Sequence, residues 1–287
     1  MRQAGARLEK LAADHPTARE YRHELGRIFN WLGRSLAATG NPGEAEKAHL
    51  KALKVYQELV GETDSSTGQW HRRELAWTYM NLGTLLKTAG RDKDAENAWR
   101  ESLAQSEKLA ADHPSDGVYF LWIAQSATGL GQFAQAEKAY AKVIELFPNG
   151  SPISHNNLAW LLVTCPDPKF RDPPKAVKLA QKAVELAPKE GNHWNTLGVA
   201  HYRAGDWKAA VEALEKSKEL LGDTELSFNA FFLAMAHWQL DQKQEAHKWY
   251  DQAVAWMEKN KPQDEELKRF RAEAEDVLKI EKKATLK

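Results

Sequence analysis

Few residues in this sequence stand at spacings that could do chemistry. Asp14-His15 and Asp112-His113 each set an acid beside an imidazole, the makings of a general acid–base dyad. Neighbours on a helix point about 100° apart, however, and each pair stands directly before a proline, Pro16 or Pro114. Both pairs therefore read as helix endings, where histidine suits the helix dipole and proline prevents continuation. His155, His193, His201 and His237 recur along the second half without a second histidine or cysteine at i+4 and without a His-Glu-x-x-His, so they carry no metal framework. Gly129-Leu130-Gly131 follows a helical pattern and lacks a Gly-Lys-Ser/Thr, so it is no phosphate loop. His71-Arg72-Arg73 lacks the aspartate of a kinase catalytic loop, and there is no Asp-Phe-Gly. The single cysteine, Cys165, closes a helix with nothing beside it to lower a thiol pKa. The sequence thus offers no catalytic residue, no cofactor site and no metal site, and it reads as a non-enzyme.

Composition narrows the partners. Lys and Arg together number 40, as do Asp and Glu, which removes the global positive field that would draw nucleic acid or an anionic membrane. No window approaches the uninterrupted apolar length of a membrane span. One cysteine rules out a disulfide framework and fits a reducing, cytoplasmic setting, in which the Asn149-Gly150-Ser151 sequon is a chance occurrence. What remains is recognition of a protein or peptide by local chemistry, from a chain expected to be a monomer or a weak homodimer.

Such recognition needs rigid elements, and here they repeat. The heptapeptide KLAADHP occurs at Lys10–Pro16 and again at Lys108–Pro114, and the segment Arg22–Gly40 matches Arg72–Gly90. Helical periodicity runs throughout, with almost none of the alternation of a strand, so the chain reads as consecutive helical hairpins stacked into a solenoid. Gly40, Gly90, Gly131 and Gly205 fall at the turns, and Thr17 with Glu20 has the pattern of a capping box. Hairpins are expected at 17–61, 67–113, 116–149, 151–189, 190–223 and 225–260. They are followed at 262–280 by a closing helix whose apolar stripe is Leu267, Phe270, Ala274, Val277 and Leu278. Residues 1–15 align with 99–113, the second helix of a unit. That implies either an unpaired first helix or a start inside a longer array, and the half-covered Leu8 and Leu11 favour the second.

The segment WNTLGVAHYRAGDWKAAVEAL, with Trp194, Leu197, Gly198, Tyr202, Gly205, Asp206 and Ala210 in register, resembles the tetratricopeptide repeat (TPR). The other hairpins repeat parts of that pattern, such as Leu32-Gly33 with Ala45, Leu82-Gly83 with Ala95, and Ala136 with Tyr140. The first two units are longer than the family's usual repeat of about 34 residues. The resemblance implies an all-α fold: a right-handed α-solenoid of antiparallel hairpins with a C-terminal capping helix. Leu158–Ile280 further resembles the C-terminal repeat region of large bacterial serine/threonine protein kinases. That likeness implies a role in bacterial signalling, as an arm of a larger protein whose kinase chemistry lies elsewhere.

In this family the inner surface, built from the first helices, receives a peptide or a partner's helix. Carried over, those positions give Asn156, Trp160, Asn192, Asn195, Tyr202, Arg203, Phe228, Phe231, Met235 and Trp238 in the last three units, a set of aromatics and amides. Amides can hold a peptide backbone, and rigid aromatics supply apolar contact at small entropic cost. In the first two units the corresponding set includes Arg34 and Trp77 with Arg27, Asn30, Met80, Thr84 and Lys87, a more cationic groove. Two functions stand side by side: a scaffold that binds a partner segment in the groove, or a self-associating or spacer array with no separate ligand. The stretch VTCPDPKFRDPP is a turn inside one hairpin, enlarged over 164–174, with Asp172 placed to cap the helix that follows; its Phe170 and Arg171 are candidate contacts at the groove edge.

Overall fold

Helices begin where the sequence supplies an acceptor. The side chains of Asp116, Ser151, Asp172, Asp206 and Asp264 each accept a hydrogen bond from a backbone N–H of the first turn they precede, and Pro152 and Pro173 occupy the first turns behind Ser151 and Asp172. The computed structural model describes residues 10–11, 14–15, 17–62, 68–222 and 226–280, the side chains of 226 and 227 excepted. The segment expected as an unpaired N-terminal helix lies largely outside them. At the start of the first hairpin the expected capping box does not form. Ala18 is the N-cap, without a side-chain hydrogen bond, because the turn closed by Ala18 N and His15 O sets Thr17 one residue too early.

Among the described residues there are thirteen helices and no strand, an all-α TPR-type solenoid. They fall into two compact units. Unit 1 holds α1 (Arg19–Ala38), α2 (Pro42–Glu62), α3 (Gly68–Thr88), α4 (Asp92–Asp112), α5 (Gly117–Gly129) and α6 (Phe133–Leu146). Unit 2 holds α7 (Pro152–Thr164), α8 (Pro173–Leu186), α9 (Gly191–Ala204), α10 (Trp207–Leu221), α11 (Leu226–Gln239), α12 (Lys243–Asn260) and α13 (Glu265–Leu278). In each unit successive helices pair as hairpins, and each hairpin packs on the next. The first helices also touch one another, α1 with α3 and α3 with α5 in unit 1, α7 with α9 and α9 with α11 in unit 2. That row of first helices is the inner face of a unit.

Small residues make the close approach possible. Ala45, Ala52, Ala95, Ala136, Ala176, Ala210 and Ala246, all from second helices, are fully buried. Gly83 and Gly129 flank the indole of Trp99: a Cβ at either would fall 2.5 Å from the ring. The first helices of four hairpins end through one geometry. Gly40, Gly90, Gly131 and Gly205 have φ of 75°, 73°, 71° and 83°, and the next residue's N–H reaches back to close the turn, as Asn41 N does to Leu36 O at 2.9 Å. The long units follow from helix length: α1 to α4 run to 20 or 21 residues, whereas α5 and α6 have 13 and 14.

The stretch at 164–174 is a turn within the α7–α8 hairpin. A short 3-10 turn spans Pro168–Phe170, Asp167 caps it, and Asp172 N returns to Leu162 O at 3.0 Å. The closing helix α13 covers the last hairpin, with Leu267, Phe270, Ala274 and Leu278 of its apolar stripe buried. It folds back onto the inner side of unit 2, packed more on α11 than on α12.

Candidate functional site

The inner face of unit 2 is built by α7, α9 and α11, and its chemistry changes along its length. Toward the start of these helices lies a cavity of about 320 Å³, in which Asn156, Asn192, Asn195 and Asn229 meet Trp160, Phe228, Lys261 and Glu266. Asn195 Nδ2 donates to Asn229 Oδ1 at 2.9 Å. Asn229 is fully buried and, among the described residues, its Nδ2 has no partner; Asn156 donates to Asn157 Oδ1 at 3.3 Å while its own Oδ1 has none among them. Both atoms lie within the wall of the cavity with almost no surface of their own, so a peptide group, which has one donor and one acceptor, would meet them after a small shift of the two side chains.

Further along, the face is filled. The ring of Phe270, from α13, stands edge-on to Phe232 at 4.9 Å, Trp160 at 6.0 Å and Phe228 at 6.5 Å. Arg203 lies over Phe232 at 5.3 Å and Tyr202 at 5.8 Å, donates through Nε to Val163 O at 3.2 Å, and chelates the Glu273 carboxylate of α13 with both terminal nitrogens, one at 2.7 Å. Arg269 Nη1 donates to Thr164 O at 3.0 Å and Nη2 pairs with Glu266 at 3.4 Å. Glu266 keeps 31% of its side chain exposed, yet desolvation raises its carboxyl to about 7 against the pull of Arg269 and of side-chain hydrogen bonds to Trp160 and Thr164.

The structure therefore brings together Asn156, Trp160, Asn192, Asn195, Tyr202, Arg203 and Phe228. It separates the rest. Phe231 and Met235 are fully buried inside the α11–α12 hairpin, with Phe231 against Tyr250 at 6.2 Å, so neither offers surface to a partner. Trp238 sits at the far end of α11, edge-on to His247 and with Lys243 Nζ 3.8 Å from its ring centre. At the loop, Phe170 is half-buried and Arg171 turns inward, its Nε donating to Cys165 O at 2.8 Å. Burial and the neighbouring Arg203 and Arg269 lower the Arg171 pKa, and burial raises that of the Cys165 thiol.

In unit 1 the inner face keeps aromatic surface exposed. Arg34 lies 5.2 Å from the ring centre of Trp31 and 5.4 Å from that of Trp77, and Trp31 remains 52% exposed. A cavity of about 430 Å³ follows, lined by Arg34, His49, Asn81, Thr84 and Thr88. His49 is buried against Gly33, and desolvation, with Arg34 nearby, lowers its pKa to about 4. Trp31 was outside the family's inner-position pattern, as were Phe232, Phe270 and Glu273 in unit 2. Asn229 was outside it as well: with Asp241 matched to Gly205 and Ala246 to Ala210, it holds in α11 the place of His193 in α9. Among the described residues no group of three or more His, Cys, Asp or Glu is placed to hold a metal ion, and no helix is long and apolar enough to cross a membrane.

Comparison with known proteins matches this architecture. Tetratricopeptide-repeat family models match residues 27–66, 74–163, 169–221 and 230–260. Small glutamine-rich tetratricopeptide repeat-containing protein 2 of Mycosarcoma maydis is 30% identical over 120 residues, which is 42% of this chain and 29% of that protein. The matched region thus spans under a third of its length. Among solved structures, BtubC of P. vanneervenii superposes with a TM-score of 0.54 at 20% identity, over 76% of this chain and 87% of that one. PilF of Pseudomonas aeruginosa gives 0.52 at 15% identity, over 88% and 99%. At these identities the structural likeness speaks for the fold alone.

Proposed function

The chain belongs to the tetratricopeptide-repeat family, whose members generally mediate protein–protein interaction, and from that premise we propose that it is a non-catalytic scaffold holding a peptide or partner segment in the inner groove of unit 2. The observation that carries this reading is the asparagine-lined cavity. Among the described residues Asn229 Nδ2 is a buried donor without a partner and Asn156 Oδ1 a buried acceptor without one, beside the half-buried rings of Trp160 and Phe228. Leaving such groups unpaired costs about 1–3 kcal/mol each, which a bound backbone amide would recover. Preorganised hairpins lose little ordering entropy on binding. The likeness of Leu158–Ile280 to kinase repeat regions suggests the setting, an arm of a larger cytoplasmic signalling protein.

The test uses peptides selected from a displayed random library on the full-length protein, with affinities read by fluorescence polarisation. Asn156→Ala combined with Asn192→Ala removes two amides that line the cavity and support little else in the fold. The pair is expected to weaken the selected peptides by about 1.5–3 kcal/mol. Unchanged affinity in a double variant with the parent's melting temperature would reject the cavity as the binding site.

A further inference from the structure

α13 has two working faces. One ties it to its own hairpin: Glu275 accepts from Tyr250 Oη at 2.8 Å and from Arg271 Nε at 2.9 Å, and Arg271 also reaches Glu258 at 3.1 Å. The other runs along the groove and touches the first helices of three successive hairpins. Phe270 meets Trp160 of α7 and Phe228 and Phe232 of α11, Glu273 binds Arg203 of α9, and Arg269 binds the Thr164 carbonyl of α7. A helix that only closed the last hairpin would need α11 and α12. Contact with all three first helices is how a partner's helix would lie in such a groove.

The charges agree. Removing α13 would take Glu266 and Glu273 out of the groove and leave Arg171 and Arg203 above an aromatic floor of Trp160, Tyr202, Phe228 and Phe232. Arg171 and Arg203 lie close enough to repel, and Glu273 is the carboxylate that offsets them. The segment joining α12 to α13, Lys261–Asp264, is short, so the helix is tethered beside the surface it covers.

We infer that α13 is an intramolecular occupant of the groove of unit 2, and that the partner which replaces it is an acidic amphipathic helix bearing an aromatic residue and, one turn on, a carboxylate, as Phe270 and Glu273 do. This rests on the reading of the groove as a binding surface and adds what binds there and what competes. A tethered competitor lowers the apparent affinity of any free helix by the fraction of time the groove is closed.

The probe is a fluorescent peptide of residues 262–280 added to the full-length protein. The double variant Phe270→Ala with Glu273→Ala releases α13 and is expected to bind the peptide at least tenfold more tightly than the parent. Adding Arg203→Glu should abolish that binding, and a peptide carrying Glu273→Arg should restore part of it. If the released variant keeps its helicity and binds no better than the parent, the inference is overturned. Should that variant not fold, hydrogen exchange on the parent decides. Excess peptide should speed exchange of α13 amides while those of α9 stay protected, and unchanged exchange overturns the inference. Light scattering on the parent should give a monomer; a dimer lost in the released variant would assign the groove to α13 of a second copy instead. Failure of the Asn156/Asn192 pair to affect library peptides, with binding of the 262–280 peptide intact, would sink the cavity reading and leave this one standing.

Discussion

Unit 1 and unit 2 use the same hairpin, yet they treat the inner face in opposite ways. In unit 1 the aromatic residues there are partly exposed and answered from within the same surface, by Arg34 placed against Trp31 and Trp77. In unit 2 they form a floor covered by a helix from the same chain, with Phe270 at its centre. A repeat fixes where an inner face lies but not whether it is open. In unit 2 that is decided by α13, folded against the inner face.

The largest predicted effect follows directly. Phe270 is 2% exposed and its ring is shared by α7 and α11, so Phe270→Ala should lower stability by about 3–5 kcal/mol in urea titrations, whereas Trp31→Ala in unit 1 should cost under about 1 kcal/mol. Equal costs would break the comparison. The next effect tests the hairpins themselves. At Gly83 an added Cβ would meet the Trp99 indole at 2.5 Å, and Gly129 presses on the same ring from its other neighbour. At Gly198 of unit 2 the added Cβ would meet Leu214 Cγ, also at 2.5 Å, and the Ala210 carbonyl oxygen at 3.1 Å. Gly83→Ala and Gly198→Ala should therefore each destabilise by about 1–3 kcal/mol in thermal melts.

The fold was readable in the sequence because its determinants are local and repeated. Leu-Gly in the first helix, alanine in the second and glycine at the turn recur at near-constant spacing, and Asp172 caps α8 as its position before two prolines suggests. The site was less readable, for a physical reason. Phe231 and Met235 occupy inner-helix positions by count, but a helix flanked by hairpins is covered nearly all round, and one residue of register decides between groove and core. The apolar stripe of α13 was plain; its destination was not, because Glu273 meets Arg203 and Arg269 meets Thr164 across long stretches of sequence that no local pattern links.

Acid and base should also tell the units apart. His49 in unit 1 has its pKa lowered to about 4 by burial, so the unfolded chain takes up its proton first and stability falls as pH drops from 6.5 toward 4. Glu266 has its pKa raised to about 7, so the folded state holds its proton more tightly, and docking of α13 weakens as pH rises from 4.5 toward 7. The groups facing Glu266 are Arg269 and Asp264 from its own segment and Trp160 and Thr164 from α7. Below pH 6.5, removing the imidazole in His49→Gln should flatten the loss of stability by about 1 kcal/mol per pH unit. Glu266→Gln should make the protection of α13 amides, exchange taken relative to the intrinsic base-catalysed rate, independent of pH over the upper range. Lowered His71 in unit 1 and His193 in unit 2 add to the acid limb, so each comparison is made against the parent in the same buffer.

The smallest effect concerns the turns. Unit 1 closes its three first helices with glycine at φ of 75°, 73° and 71°, whereas unit 2 uses Gly205, the proline-rich loop at 164–174, and Asp241 at φ 62°. Asp241 sits in the same turn as the glycines: Gln242 N reaches His237 O at 2.9 Å, as Asn41 N reaches Leu36 O. A side chain in that left-handed region is strained, less for aspartate than for most residues, and glycine also gains freedom when unfolded. The two terms oppose, and Asp241→Gly should stabilise by only about 0.5 kcal/mol in thermal melts. A destabilisation instead would mean that Asp241 has a role in unit 2 that no glycine plays in unit 1. Its carboxylate lies 3.4 Å from Lys243, whose ammonium also rests on Trp238, so that pair is where such a role would be found.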